Sequence, residues 1–260
     1  MPRHRLLQAA LAAFTCFLCL SWLAPGQQNP PQTSEMKFPC PEKLSFRVEW
    51  HGITAGLATV TMTKPNADQW QTTLDLESAG MVSRLYRVLD KYKSITAVKF
   101  CGSSSELDAQ EGKRHNYTKL SFDPARQKVN YYQHDLVKNQ EVRKEVDAPP
   151  CTFEITGALE ALRAMNLEPG KTITVPLTDG KKFANARIDA QAKENITIGG
   201  KRYSTIRYEA FVFDNVIYRR KGRLEVWITD DPGRLPVQMR MQFSFPVGTV
   251  NVELEKQEQG

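Results

Sequence analysis

Four histidines in 260 residues, and no cysteine pair at metal-binding spacing after residue 26, leave little from which to build a zinc site. The HExxH, GxSxG and phosphate-cradling glycine motifs are missing, so three common catalytic designs have no basis here. Calcium loops need a ligand at every second position and a closing Glu, and no such stretch occurs. Long apolar runs are also lacking: after residue 24 no segment is long and apolar enough to cross a bilayer as a helix. Dense blocks of one charge are scarce. The formal charge is +6 with a pI near 9.0, but Lys138, Arg143 and Lys144 sit beside Glu141, Glu145 and Asp147. Nucleic acid is therefore not an expected partner. The mild excess is compatible with a weak affinity for anionic membrane surfaces.

What is present begins with a targeting pattern. Met1-Pro2-Arg3-His4-Arg5 is a short basic head, residues 6–24 are largely apolar and uncharged, and Ala24-Pro25-Gly26 supplies small residues for a signal peptidase. Residues 1–26 read as a secretory signal, with an uncleaved membrane anchor as the rival. Cys16 and Cys19 lack a convincing lipid-attachment context. Arg3 and Arg5 are the only charged residues among the first 26, so processing would leave +4. The polar, proline-bearing stretch 27–37 reads as a flexible lead-in, and 38–256 as a single domain. The expected location is the periplasm or another exported compartment.

Export changes the meaning of the remaining cysteines. Cys40, Cys101 and Cys151 are an odd number, so an oxidising compartment predicts one pair and one leftover thiol. Cys101 ends a strand pattern and Cys151 precedes a helix pattern. The favoured disulfide is Cys101–Cys151, a staple between helix and sheet; the other pairings stay open.

Leu44, Phe46, Val48 and Trp50 alternate with polar residues, which marks a strand with one buried and one wet face. The same period recurs through Ala58-Val60-Met62, Trp70-Thr72-Leu74-Leu76 and Val237-Met239-Met241-Phe243, with turn residues between. The predicted fold is mainly β: an antiparallel meander of about thirteen strands in a barrel-like, half-open barrel or sandwich form. The polar segment 102–116 reads as a loop with room for a short strand, 183–190 and 194–198 as separate strands, and 81–87 as a short helix or turn. Ile155, Ala158, Leu159, Leu162 and Met165 share one face of the principal helix, with Glu160 and Arg163 pairing on its wet side.

A series of phrases then carries a resemblance. They are Trp50-His51-Gly52-Ile53-Thr54-Ala55-Gly56; Ser83-Arg84-Leu85-Tyr86-Arg87-Val88-Leu89-Asp90-Lys91-Tyr92; the helix preceded by Cys151; Pro169-Gly170-Lys171 with Pro176-Leu177-Thr178-Asp179-Gly180; and Val226-Trp227-Ile228-Thr229-Asp230-Asp231-Pro232-Gly233-Arg234-Leu235-Pro236-Val237. In this order they resemble domain-of-unknown-function family 3108, a family of exported bacterial proteins. The resemblance implies export and a β-rich fold, and it carries no catalytic residues over.

Asp179, Asp230 and Asp231 suggest an acid cluster, but Asp before Gly or Pro-Gly is ordinary turn chemistry. Cys40 and His51 suggest a nucleophile and base, yet Cys40 lies between prolines in an extended lead-in. Arg84, Asp90 and Lys91 around Tyr86 and Tyr92 read either as a pocket mouth or as ion pairing. No catalytic residue, metal ligand or cofactor is expected. The aromatic and methionine side chains on strands are the candidate lining for a hydrophobic ligand: Trp50, Trp70, Tyr86, Tyr208, Phe211, Trp227, Met239 and Met241. The reading is a non-catalytic envelope protein that binds a lipid or other hydrophobic molecule, with the 153–165 helix as plug or lid. The alternative is an assembly protein that docks an envelope partner through its sheet surface or edge.

Overall fold

The computed structural model of the chain describes residues 39–259. The expected signal peptide and lead-in lie outside the described residues. The first half comprises β1 (Glu42–Trp50), β2 (Ile53–Asn66), β3 (Gln69–Ser78), α1 (Gly80–Leu85), β4 (Val88–Ala97), β5 (Gly102–Glu111), β6 (Arg114–Asp123), β7 (Lys128–Asp135) and β8 (Gln140–Asp147). Helix α2 (Ile155–Ala164) follows, then β9 (Thr172–Thr178), β10 (Phe183–Ile198), β11 (Lys201–Phe211), β12 (Gly222–Thr229), β13 (Pro236–Phe243) and β14 (Thr249–Gln259).

All fourteen strands form one antiparallel sheet in the order β8-β7-β6-β5-β4-β3-β2-β1-β14-β13-β12-β11-β10-β9. Two meanders are thus joined by the β1–β14 ladder, which runs from Glu42 opposite Gln259 to Trp50 opposite Val250. The ladder does not close: β8 and β9 are its edges. The gap is partly filled by the segment before α2, where Phe153 donates to Pro176 O and accepts from Thr178 N, making a parallel bridge to Leu177. The sheet curls enough to bring the β9–β10 turn onto the inner face of β6 and β7. A Cβ on Gly180 would lie 2.1 Å from Leu120 and 2.7 Å from the Tyr131 ring, and its φ is +80°, so only glycine fits there.

Helix α2 crosses one end of the curled sheet from β4 to β1. At its start the Glu154 carboxylate accepts from Thr156 N and Gly157 N, from Thr156 Oγ1, and from the hydroxyls of Tyr92 (2.5 Å) and Ser94 (2.9 Å). This satisfies two of the free amides of the first turn. At its other end Arg234 Nη2 donates to Met165 O at 3.1 Å, a guanidinium cap on the carbonyl end. Ala161, Leu162 and Met165 pack with Met62, Trp70, Phe153, Ile206, Tyr208 and Ile228 in the main core. A second cluster, with Leu44, Phe46, Ala58, Val237, Val252 and Leu254, fills the sheet around the β1–β14 seam.

Several expectations need correction. Segment 102–116 is not a loop: it holds β5 and the start of β6, and its polarity arises because neither face meets the apolar core. Residues 183–198 are one strand, with a bulge between Ala190 and Ala192 in its pairing to β11. Glu160 and Arg163 do pair, at 2.9 Å, but not on a wet side: Arg163 is 1% exposed. Its guanidinium also reaches Glu42 at 2.9 Å and donates from Nε to Arg234 O. Helical periodicity identified the apolar stripe; it could not show that the opposite side faces the inside of a sheet.

Cys101 and Cys151 form the disulfide, with Cα atoms 4.9 Å apart, and Cys40 is the exposed free thiol. The bridge fastens the chain entering α2 to the β4–β5 turn, where Gly102 N also donates to Thr152 O. A disulfide of this kind belongs to an oxidising, non-cytoplasmic compartment. Among the described residues no helix is long and apolar enough to cross a membrane.

Candidate functional site

Residues directly opposed in an antiparallel ladder share a face, so the registers map the inner wall. One inner row runs Trp50–Val250–Met241–Leu224–Ala210–Ile188–Ile173. Its neighbour runs Val48–Val252–Met239–Val226–Tyr208–Ala190. Both rows are almost wholly apolar. On β4 to β7 the same face carries Asp90–Ala109–Asn116–Asp135 and Tyr92–Leu107–Thr118–Gln133. The interior therefore has an apolar wall on β1–β3 and β9–β14, and a polar wall on β4–β7.

Depth divides this interior. Near α2 the inward side chains Leu44, Phe46, Met62, Ile206 and Ile228 are buried. Val48, Met239 and Met241, farther from α2, keep part of their surface exposed, and so do Val60, Leu74 and Leu76, which lie level with Leu44 and Phe46. Because every ladder is antiparallel, turns alternate between two ends of the sheet, and this accessible apolar surface approaches the end opposite α2.

Asp90 lies on the polar wall, opposite Leu76 of β3. It is half-buried and accepts from Gln110 N at 3.1 Å. Desolvation, and secondarily the negative charge of Glu111, push its pKa up to about 6. Raised carboxyl pKa values in concave surfaces mark candidate functional positions. The phenol of Tyr92 is raised too, by burial first and then by the adjoining Glu154 carboxylate. Neighbouring Gln133 Nε2 donates to Asn116 Oδ1 at 3.0 Å. The wall thus offers a carboxyl group and amide groups next to an apolar surface, which suits a molecule with one polar and one apolar part.

The proposed ligand residues divide between the two faces. Trp50, Met239 and Met241 lie on the partly exposed inner wall, with the Trp50 indole N–H donating to Val247 O at 2.6 Å. Trp70 and Tyr208 are inner but belong to the packed core. Trp70 stacks on Phe100 with centroids 5.7 Å apart, and the Tyr208 hydroxyl donates to Leu167 O and accepts from Arg234. Phe211 and Trp227 lie on the opposite face, by strand alternation with Ala210 and Val226. Arg187 stacks over Phe211 at 3.8 Å and Arg240 over Trp227 at 5.0 Å, while the Trp227 N–H donates to Glu194. Tyr86 stands exposed in the turn after α1. Apolar character alone could not separate the two sides of β11 and β12.

The other constellations disperse. Cys40 precedes β1 and His51 follows it, so a whole strand separates them. Asp179 lies in the β9–β10 turn and accepts from Lys181 N and Lys182 N; Asp231, at the other end of the sheet, accepts from Gly233 N and Arg234 N. Asp230 pairs with Lys193 at 2.9 Å. Arg84 and Lys91 are exposed, and Asp90 is the inward member of its group. Among the described residues no group of His, Cys, Asp and Glu is arranged to hold a metal.

A family model described as protein of unknown function (DUF3108) matches residues 45–255. Among solved structures, a β-barrel-like protein of domain of unknown function DUF1849 from Brucella abortus is similar, with a TM-score of 0.57 at 9% identity. The match covers 86% of this chain and 99% of that one. A DUF1089 family protein from Pseudomonas aeruginosa matches with a TM-score of 0.32 at 9% identity, over 75% of this chain and 92% of that one. No curated protein matches. The Brucella likeness shows the β-barrel-like fold.

Proposed function

The chain belongs to the DUF3108 family of proteins of unknown function, and from that premise we propose that it is a non-catalytic exported protein that holds a lipid or similar amphiphile in the end of its curled sheet away from α2. The carrying observation is the set of inward apolar side chains Val48, Val60, Leu74, Leu76, Met239 and Met241, which stay partly exposed although Leu44, Phe46 and Met62 on the same wall are buried. A packed core has no reason to stop short in this way. The facing polar wall would receive a headgroup and the apolar wall a chain.

The alternative, docking through a sheet edge, has less support. The exposed edge strand β8 carries Glu141, Arg143, Lys144 and Glu145, a pattern that discourages strand addition. The β9 edge contains Pro176 and is already bridged by Phe153.

Native mass spectrometry of the processed protein from cells, with lipid analysis of an organic extract, tests the reading. The expected result is a stoichiometric amphiphile adduct, reduced at least fivefold in a Met241→Glu variant of unchanged thermal midpoint. A bare protein mass, together with no uptake of a fluorescent fatty-acid probe, overturns it.

A further inference from the structure

The end of the sheet opposite α2 has a continuous rim. Trp50 Nε1 donates to Val247 O, and His51 packs against Gly248, joining the β1–β2 and β13–β14 turns. Phe213 meets Phe243 edge-on at 5.1 Å, and Arg220 lies 5.5 Å from the same ring, which adds the 212–221 connection. On the other side Ala79 N donates to Ala55 O, Gly112 N to Arg87 O, and Leu136 N to His115 O. These bonds link the α1 segment and the β5–β6 and β7–β8 turns.

Two properties coincide on this rim. It concentrates exposed apolar side chains: Phe245 is 96% exposed, Leu85 80%, Met81 68% and Val137 63%, with Tyr86 and Ile53 beside them. It is also basic. The connections 51–52, 79–87, 112–113, 136–139, 179–182, 212–221 and 244–248 hold nine basic residues (Arg84, Arg87, Lys113, Lys138, Lys181, Lys182, Arg219, Arg220, Lys221) against the two acids Asp179 and Asp214, a net of +7. Of the nine, only Lys138 makes an ion pair with another described residue, to Asp135. At the α2 end, the connections 67–68, 98–101, 124–127, 148–154, 165–171, 199–200 and 230–235 hold four basic and five acidic residues, a net of −1. The outward strand faces are different again, because their arginines are neutralised across the ladders, Arg47 by Glu253 and Arg207 by Glu225.

Unpaired cations interleaved with protruding apolar side chains on one end match the surface of an anionic bilayer: phosphates meet the guanidinium and ammonium groups while apolar side chains enter the headgroup boundary. A protein partner would have to supply acids at many separate points around the ring, whereas a lipid surface supplies them everywhere. We propose that this rim docks on an anionic phospholipid membrane. The proposal goes beyond ligand binding and does not need an occupied interior, although it would set the accessible apolar surface against the bilayer.

Hydrogen exchange of the processed protein, followed by mass spectrometry with and without phosphatidylglycerol-rich vesicles, tests it. Protection is expected in peptides covering 79–87, 212–221 and 244–248, none is expected over 165–171 or 230–235, and neutral phosphatidylcholine vesicles should give none. An Arg219→Glu/Arg220→Glu/Lys221→Glu variant should partition into the anionic vesicles at least tenfold less. The charge-matched Lys99→Glu/Arg126→Glu/Lys171→Glu variant at the other end should partition as the unaltered protein does. Absence of rim protection, protection at the α2 end, or equal partition of the two variants overturns the proposal. Failure here leaves the adduct measurement untouched, so the two readings fail separately.

Discussion

Arg163 is one of the largest fully buried side chains, and its charge is neutralised inside the protein by Glu42 and Glu160. Glu42 is further held by Gln257 Nε2 at 2.9 Å. Burial pushes the Glu160 carboxyl up, and Arg163 pulls it back. Removing one member of such a group leaves a buried charge uncompensated. Arg163→Met is expected to lose about 3–5 kcal/mol in urea unfolding, with part regained on adding Glu42→Gln. Asp90 behaves differently, since no cation among the described residues pairs with it. Its carboxyl, normally near 4, sits at about 6 in the fold. A carboxyl raised in the folded state costs nothing when protonated in both states, and its cost grows as pH rises from about 4 through about 6. Asp90→Asn should therefore stabilise the protein at pH 8, by about 1 kcal/mol after allowing for solvent screening, and should change little at pH 4. Denaturant midpoints at the two pH values check the sign. A destabilising acid facing an accessible apolar surface is the kind of residue whose retention function would explain.

Element α2 depends on the strands for its placement. Its first turn is bonded to β4 through Glu154, its middle to β1 through Arg163, and its last carbonyls to the β12–β13 turn through Arg234. The disulfide holds the chain just before it, closing a loop across a sequence separation of 50. Chain-entropy reasoning gives about 4 kcal/mol for such a closure. A Cys101→Ser/Cys151→Ser variant should lose about 2–4 kcal/mol in the same unfolding measurement, and exchange protection should fall first over 151–165. The existence of α2 was legible from its apolar spacing; its second, ion-paired face was not. Glu160 and Arg163 at three-residue spacing look identical whether they meet water or the inside of a sheet. Strand β5 was illegible for a related reason. Its inward residues include Ser105, and only Leu107 and Ala109 alternate with Glu106, Asp108 and Gln110, a pattern too short and weak to mark a ten-residue strand.

At the scale of the whole molecule, a sheet with two free edges is kept from open pairing by charge on β8 and by the bridge at β9. The curl that places Gly180 against Leu120 also makes an inside. Only then do apolar strand residues acquire different roles. Met239 and Met241 face the accessible interior, while Trp227, between two inward residues, faces outward beneath Arg240. The rim is likewise a property of the assembled sheet: Ile53, Leu85, Val137 and Phe245 are far apart in the chain and become one ring because antiparallel turns alternate between two ends.

By itself the sequence determined the class of fold, the strand periodicity and the position of α2, and it favoured the Cys101–Cys151 pair without deciding it. Those signals are local: a half-buried strand or helix must repeat its apolar residues at the period of its own backbone. Tertiary structure alone decided which side of each strand is inside, how α2 is anchored, why Asp90 is held up to about 6, and where the basic and apolar connections gather. Those depend on register, curl and distance between remote segments, and no window of the sequence contains them.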